Sequence, residues 1–156
     1  MAQAIIPSTP IGPILLRADG DRLVSIHIGA NGDKAKDDVP VLREALAQLS
    51  AWLAGRLTIF DLPLAEPETP RGAAHRQAIA DIPYADTASY GAIARMIGSS
   101  PRAVGQACRR NPFPIVIPCH RVIGAGGAIG HYSGGAGVTT KLWLLQHEQD
   151  STRSKG

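Results

Sequence analysis

The sequence is poor in aromatic residues and in cysteine, and it has no long hydrophobic run. Aromatic residues make up 4% of 156 residues, while 17 glycines and 12 prolines interrupt the backbone too often for a coiled coil or a long helical bundle. The longest stretch without an acidic or basic residue, 122–140, is rich in glycine and polar side chains, unlike a membrane span. The segment before Arg17 has no basic residue and contains three prolines, which argues against a signal peptide. We therefore expect a cytoplasmic protein with no membrane partner.

The chain has the balance of a folded protein, with 44% hydrophobic and 19% charged residues. Its charge is divided unevenly. Residues 1–69 contain six basic and nine acidic residues, a net charge of −3, whereas residues 70–156 contain ten and four, a net charge of +6. The proline-containing segment 65–70 separates the two parts, so we expect an N-terminal domain over 1–68 and a C-terminal domain over 69–156. A basic C-terminal part is typical of a nucleic-acid-binding protein and equally of a solvated basic surface.

The two cysteines, Cys108 and Cys119, are too few for a disulfide framework and lack the spacing of a zinc site. We expect no bound metal and no cofactor, so any chemistry here would be that of a thiol. A thiol reacts as the thiolate, and with a pKa of about 8.5 it needs a base or a positive charge nearby. His120 and Arg121 follow Cys119 and are candidates for that role, whereas Cys108 falls on the packing face of a predicted helix.

The N-terminal part predicts a small sheet covered by a helix. Residues 14–16 lead into the turn signal Asp19-Gly20, and residues 24–28 alternate apolar and polar side chains, which predicts a β-hairpin. Apolar residues then recur at helical spacing over 42–53 and end at a glycine, which predicts a helix. A further short strand is expected over 59–64.

The C-terminal part predicts several short helices. A helix over about 70–82 begins after Thr69, and two more follow Ser89 and Ser100, with Gly98 between them. The last pair forms a candidate helix-turn-helix, whose second helix runs to about residue 110 and carries Arg102, Gln106 and Arg109 on one face. Such a pair is more often ordinary packing than a DNA-binding motif.

Three segments complete the C-terminal part. The apolar run 113–118 is expected to be a short strand that delivers the chain to Cys119, and the seven glycines between 124 and 137 form a loop whose backbone can approach a ligand. The last helix is expected over about 138–148, with Leu142 and Leu145 on its core side. Glu148 in its final turn would oppose the helix dipole and therefore needs a local partner.

Five short motifs in the C-terminal part belong together: RAVG at 102–105, NP at 111–112, IPCHRV at 117–122, YSGG at 132–135 and LLQHE at 144–148. In this combination they resemble the O6-alkylguanine-DNA alkyltransferases, also called methylated-DNA-protein-cysteine methyltransferases. The match is specific over about 82–148, and only loose over 1–64. The resemblance implies an α+β protein, with a small ribonuclease-H-like N-terminal α/β domain and a helical, winged-helix-like C-terminal domain containing the helix-turn-helix.

The resemblance also implies a reaction and a set of roles. Cys119 would take an alkyl group permanently from O6 of guanine in duplex DNA, and O4 of thymine is a further possible donor. His120 would deprotonate Cys119 through a water, with Glu148 orienting His120, Tyr90 donating toward N3 of guanine and Asn111 bracing the turn that carries the nucleophile. The remaining implied site residues bind the base or the DNA. They are Val122, Tyr132, Ser133 and Gly134 for the base, and Arg102, Ala103, Gly105, Gln106 and Arg109 for the DNA.

In the same resemblance, Arg102 fills the gap left by the extruded base, which must leave the stack because a buried thiol cannot reach it inside a duplex. The protein would act as a monomer, near the nucleoid if the source is bacterial. The sequence departs from many relatives in the helix before Ile82, where Arg71-Gly72 and His75-Arg76 replace a Phe-Gln and a Val-Trp pair.

Three other functions are alternatives to the alkyltransferase hypothesis. A non-catalytic binder of damaged DNA would lack the cysteine, a thiol hydrolase using Cys119, His120 and Glu148 would turn over, and a helix-turn-helix regulator would usually be dimeric. Stoichiometry separates them, because an alkyltransferase stops after one equivalent.

Overall fold

The computed structural model describes residues 1–30 and 37–154. The chain divides into two compact units, Met1–Ala65 and Glu66–Gly156. Helices and sheets occur in both, so the protein is α+β with two domains, as expected. In the part of the chain that the structure describes, no helix is both long and apolar enough to cross a membrane.

The first unit is a three-stranded antiparallel sheet with one helix. Strands β1 (Ala2–Ile6), β2 (Ile14–Asp19) and β3 (Arg22–Ile28) lie in that order, and the expected hairpin β2–β3 turns at Gly20, whose φ of 60° suits glycine. Helix α1 (Pro40–Leu53) contacts all three strands. Its buried face consists of Val41, Leu42, Ala45, Leu49 and Trp52. Strand β1 was not among the predicted elements.

The strand expected over 59–64 does not form. Only Leu64 pairs, in a single parallel bridge with Leu23. The side chain of Gln48 in α1 takes the place of a partner strand, because its amide donates to the carbonyl of Asp61 and accepts from the Asp61 N–H, both at 2.9 Å. These backbone groups are therefore satisfied by a helix side chain, and Ile59 remains exposed.

The second unit begins with the predicted helix α2 (Pro70–Ala80), whose cap is Thr69. Strand β4 (Ala88–Ser89) leads into α3 (Tyr90–Ile97), and after a left-handed Gly98 the chain enters α4 (Pro101–Arg109). Ser89 and Ser100 cap these two helices by accepting from Ala92 and Ala103 N–H groups, respectively. Helices α3 and α4 pack together, which confirms the predicted helix-turn-helix arrangement.

The segment 113–118 is a compact turn and not the expected strand. The amide of Asn111 donates to the Ile117 carbonyl and accepts from the Phe113 N–H, both at 2.9 Å, which closes the turn. Ile115 has a φ of 76°, a conformation that an extended strand does not contain. The chain then forms a 3₁₀ turn over Cys119–Arg121 and strand β5 (Val122–Ile123), which pairs with β4 in parallel.

Helix α5 (Val138–Ser154) is longer than expected and presents a different face to the core. Leu142 is 47% exposed, which corrects its predicted core position, whereas Lys141, Leu144 and Glu148 are fully buried. The polar members of this face are stabilised by hydrogen bonds to other segments, so the apolar pattern alone pointed to the wrong register. Since α5 continues to Ser154, Glu148 is not in its last turn.

Candidate active site

Cys119 begins the 3₁₀ turn directly before β5, and its side chain is held by the Asn111 turn. It is 5% exposed. The Asn111 amide nitrogen that binds the Ile117 carbonyl also lies 3.2 Å from the Cys119 sulfur. The pairing of β4 with β5 brings this segment beside Ser89, so that Tyr90 at the start of α3 lies next to the thiol region. The Asn111 side chain therefore fixes both the turn and the Cys119 sulfur.

The Cys119 thiol is predominantly protonated in this environment. Burial raises its pKa, while the hydrogen bond from Asn111 and the positive charge of Lys141 offset part of that effect. A buried thiol of this kind needs a base before it can act as a nucleophile.

His120 and Arg121 both bind Glu148 in the buried part of this unit. The His120 Nε2 atom lies 2.9 Å from Glu148 Oε2, and Arg121 Nη2 donates to the same oxygen at 2.7 Å. Arg121 Nε adds a hydrogen bond of 3.0 Å to Glu148 Oε1, and Arg121 Nη1 donates to the Ile82 carbonyl at 2.7 Å. These contacts are the local partners that a buried Glu148 needs. Arg121, which the sequence offered as a second activator of the thiol, is instead directed at the carboxylate.

The protonation states of this network follow from its contacts. Burial disfavours the ionised form of Glu148, but the hydrogen bonds from His120 and Arg121 outweigh it and lower the pKa of Glu148 to about 2. Burial lowers the pKa of His120 despite the opposing influence of Glu148, so its imidazole is neutral at pH 7. A carboxylate can only accept, so His120 Nε2 carries the hydrogen and Nδ1 keeps the basic lone pair.

Lys141 is a buried cation that the sequence analysis did not identify. Its ammonium donates to the carbonyls of Val122 at 2.7 Å and His131 at 3.2 Å, and it lies 5.8 Å from the ring centre of Tyr90. Burial lowers the pKa of Lys141, and the nearby thiols Cys108 and Cys119 favour its charged form. The sequence did contain one signal for the position of Lys141. It lies three residues before Leu144 and seven before Glu148, so the three share one face of a helix.

A pocket of about 290 Å³ opens beside the thiol. Its walls come from α3, α4, the Cys119 turn and the glycine-rich loop. The lining residues are Tyr90, Pro101, Arg102, Gly105, Cys108, Arg109, Cys119, His131, Tyr132 and Ser133. Cys108 is thus half-buried against the pocket, and burial raises its pKa to about 12. The sequence assigned Cys108 to a packing face and missed this position.

Two of the remaining predicted residues, Val122 and Gly134, are not among the lining residues of the pocket. Val122 is fully buried and its carbonyl accepts from Lys141. Gly134 packs on Tyr132, where a Cβ would come within 2.9 Å of the ring. Burial raises the pKa of both Tyr90 and Tyr132, so both phenols keep their hydrogens at neutral pH.

The predicted DNA-binding residues all lie on α4, with different exposure. Arg102, Gln106 and Arg109 are exposed, and Ala103 and Gly105 are partly exposed. Arg102, Gly105 and Arg109 reach the pocket, whereas Ala103 and Gln106 are not among its lining residues. Within residues 1–30 and 37–154, no group of three or more histidine, cysteine or acidic side chains is placed to hold a metal ion.

The fold and the site define a protein in which a buried thiol faces a pocket beside the exposed helix of a helix-turn-helix. Residues 73–150 match the family model for the 6-O-methylguanine DNA methyltransferase DNA binding domain, and residues 4–65 match its ribonuclease-like domain. The chain belongs to the 6-O-methylguanine DNA methyltransferase family.

Individual relatives agree along nearly the whole chain. A methylated-DNA–protein-cysteine methyltransferase of Methanosarcina acetivorans is 42% identical, covering 95% of this chain and 98% of its own. A constitutive methyltransferase of the same name from Bacillus subtilis is 35% identical over 94% and 95%. The crystal structure of Mycobacterium tuberculosis OGT in complex with DNA superposes with a TM-score of 0.84 at 37% identity, covering 97% of this chain and 94% of that one.

Proposed function

We propose that this chain repairs DNA by moving an alkyl group from O6 of guanine in a duplex onto Cys119, once per molecule. Repair by alkyl transfer to a cysteine is the activity that its family and relatives support, and the relative solved with DNA supports DNA as the partner. The observation that carries the assignment to Cys119 is its place in one pocket with Arg102, Gly105 and Arg109 of α4. The protein acts as a cytoplasmic monomer on one lesion.

The first step is loss of the thiol proton. Burial holds Cys119 in its protonated form, and His120 presents a basic Nδ1 because Glu148 accepts from Nε2. His120 takes the proton through a water, and Glu148, ionised at any physiological pH, stabilises the imidazolium that results. Arg121 keeps that carboxylate oriented through three hydrogen bonds.

The second step is displacement at carbon. The Cys119 sulfur forms a bond to the alkyl carbon while the bond from that carbon to O6 breaks, and the electron pair of the broken bond stays on the guanine. Tyr90 donates its hydroxyl hydrogen toward N3 and Ser133 donates toward O6, which stabilises the departing base. The departing guanine anion takes up one proton from solvent and His120 returns the thiol proton to solvent, so the products are an S-alkylcysteine and an unmodified guanine.

The DNA must present the base outside the stack, since Cys119 is 5% exposed and lies within a pocket. Helix α4 faces the duplex with Arg102, Gln106 and Arg109, and its small residues Ala103 and Gly105 permit a close approach. Arg102 occupies the position that the base has left. The Val122 carbonyl has a second lone pair besides the one bound by Lys141, and with the Cys119 carbonyl it accepts from the guanine amino group.

Mass spectrometry of the intact protein and its peptides tests the proposal. After incubation with excess duplex containing O6-methylguanine, we expect one added methyl group, located on Cys119. Cys119→Ser should add none while binding DNA with nearly unchanged affinity, and the matched control Cys108→Ser should still add one. A methyl group on Cys108, transfer by Cys119→Ser, or continued turnover would contradict the assignment.

A further inference from the structure

Helix α2 is fastened to the turn of the helix-turn-helix by polar contacts. His75 is buried, its Nε2 lies 2.9 Å from the Ser99 hydroxyl oxygen, and its Nδ1 lies 2.8 Å from the Arg71 carbonyl. The Arg71 guanidinium in turn donates to the Gly98 carbonyl at 3.3 Å. Together these contacts connect α2 to the turn between α3 and α4.

The contacts determine the hydrogen positions of His75 in its neutral form. A backbone carbonyl only accepts, so Nδ1 carries the hydrogen and Nε2 accepts from the Ser99 hydroxyl. Both ring nitrogens are therefore used at once, which fixes the ring. Moving Ser99 away would leave the buried His75 Nε2 without a hydrogen-bond partner, which costs free energy, so the arrangement resists displacement of Ser99.

Ser99 immediately precedes Ser100, the cap of α4, and follows Gly98, the left-handed end of α3. The position of Ser99 thus sets the point at which α4 starts. Arg102 and Arg109 project from α4 at the pocket, and Cys119 is held separately by Asn111. Loosening Ser99 would consequently affect α4 more than the Cys119 turn, which Asn111 holds.

We propose that His75 is a positioning residue for DNA binding: through Ser99 it holds α4 in the orientation that engages the duplex. This inference rests on the proposed function for the role of α4. Without the His75–Ser99 hydrogen bond the free protein samples other orientations of α4, and DNA must restore the binding one. The loss of affinity is limited by the free energy of that hydrogen bond, about tenfold or about 1.4 kcal/mol.

The test measures two quantities for each variant. One is affinity for an unmodified duplex, which needs no transfer reaction, and the other is the rate of methyl transfer from free O6-methylguanine base, which needs no DNA contact. The variants are His75→Leu, which removes both hydrogen bonds, His75→Gln, whose amide reaches roughly the place of Nε2, and His75→Asn, which matches roughly the place of Nδ1.

We expect His75→Leu and His75→Asn to bind duplex about tenfold more weakly and His75→Gln to bind within about twofold of the original protein. In His75→Leu and His75→Asn the rate of transfer from the free base should fall by much less than duplex affinity does, because α4 forms only one wall of the pocket beside Cys119. As a single substitution, Ser99→Ala should weaken duplex binding. Added to His75→Leu, it should weaken duplex binding no further, because both changes remove the same hydrogen bond. If His75→Leu does not fold, Ser99→Ala carries the test.

A purely structural role would give another result. The free-base rate would fall by the same factor as duplex affinity, or His75→Gln would bind no better than His75→Asn, and either outcome overturns the inference. Unchanged duplex binding by Ser99→Ala overturns it also. An original protein that binds duplex but transfers no methyl group refutes the proposed function and leaves the binding test of His75 intact.

Discussion

Replacing Glu148 by glutamine should affect both stability and chemistry, and the structure gives the size of the first effect. The pKa of Glu148 is lowered to about 2 in the folded protein, whereas a glutamate in an unfolded chain has a pKa of about 4.3. A difference of about 2 units corresponds to about 3 kcal/mol of stability at pH 7. An independent comparison gives the same size, because breaking a buried ion pair and leaving a guanidinium such as that of Arg121 without its counter-charge typically costs about 3 to 5 kcal/mol.

Urea unfolding as a function of pH measures this contribution. Because the folded pKa is the lower one, the stabilisation by Glu148 is complete above about pH 4.3 and disappears as the pH falls toward 2. The free energies of unfolding of the original protein and Glu148→Gln should therefore differ by about 3 kcal/mol at pH 7, and the difference should shrink as the pH falls from about 4 toward 2. Glu68→Gln removes an exposed carboxylate and should change neither value appreciably.

Single-turnover transfer on saturating duplex measures the chemical effect. Glu148→Gln should react more slowly, since a neutral amide stabilises the imidazolium of His120 less well, while its DNA affinity stays nearly the same. An unchanged transfer rate would remove Glu148 from the proton relay. A constant stability difference between pH 7 and pH 3 would refute the argument from its pKa.

Three further changes test other parts of the site. Arg102→Ala should slow transfer on saturating duplex much more than transfer from the free base, because only the duplex reaction includes base extrusion. An equal change on both substrates would reject this role of Arg102. Weaker DNA binding, with the salt dependence of affinity reduced in slope by about one, would indicate a phosphate contact instead. Lys141→Gln should raise the pH at which iodoacetamide labels Cys119, because the lysine charge lowers the pKa of that thiol; an unshifted labelling profile would contradict this. In Cys119→Ser, iodoacetamide should label Cys108 only slowly at pH 8, because burial, the largest cause of its raised pKa, is retained in this variant; rapid labelling would contradict this.

Local features of the sequence were sufficient for much of the C-terminal unit. Thr69, Ser89 and Ser100 each accept from the backbone N–H of the residue three positions later, an interaction that depends on a few adjacent residues. Gly98 ends α3 because its left-handed conformation suits glycine. Such short-range signals predicted the helix-turn-helix, and the motif IPCHRV identified Cys119 as the candidate nucleophile.

Contacts between distant segments decided the rest. Residues 59–64 have strand-like side chains, but Gln48 satisfies the Asp61 backbone instead of a neighbouring strand. The core face of α5 includes Lys141 because the Val122 carbonyl lies opposite, 19 residues earlier in the chain. Hydrophobic periodicity cannot anticipate a buried cation, since the free energy of burying it depends on acceptors that only the fold supplies.

The composition of the site shows the same division. The sequence by itself determined which residues can react: a thiol, an imidazole and a carboxylate in recognisable motifs. The tertiary structure decided that Arg121 binds Glu148 rather than the thiol and that Cys108 lines the pocket. It also decided that Cys119 stays protonated until a base acts. Reactivity of this kind depends on burial and on charges brought together by folding, which no single segment of the chain contains.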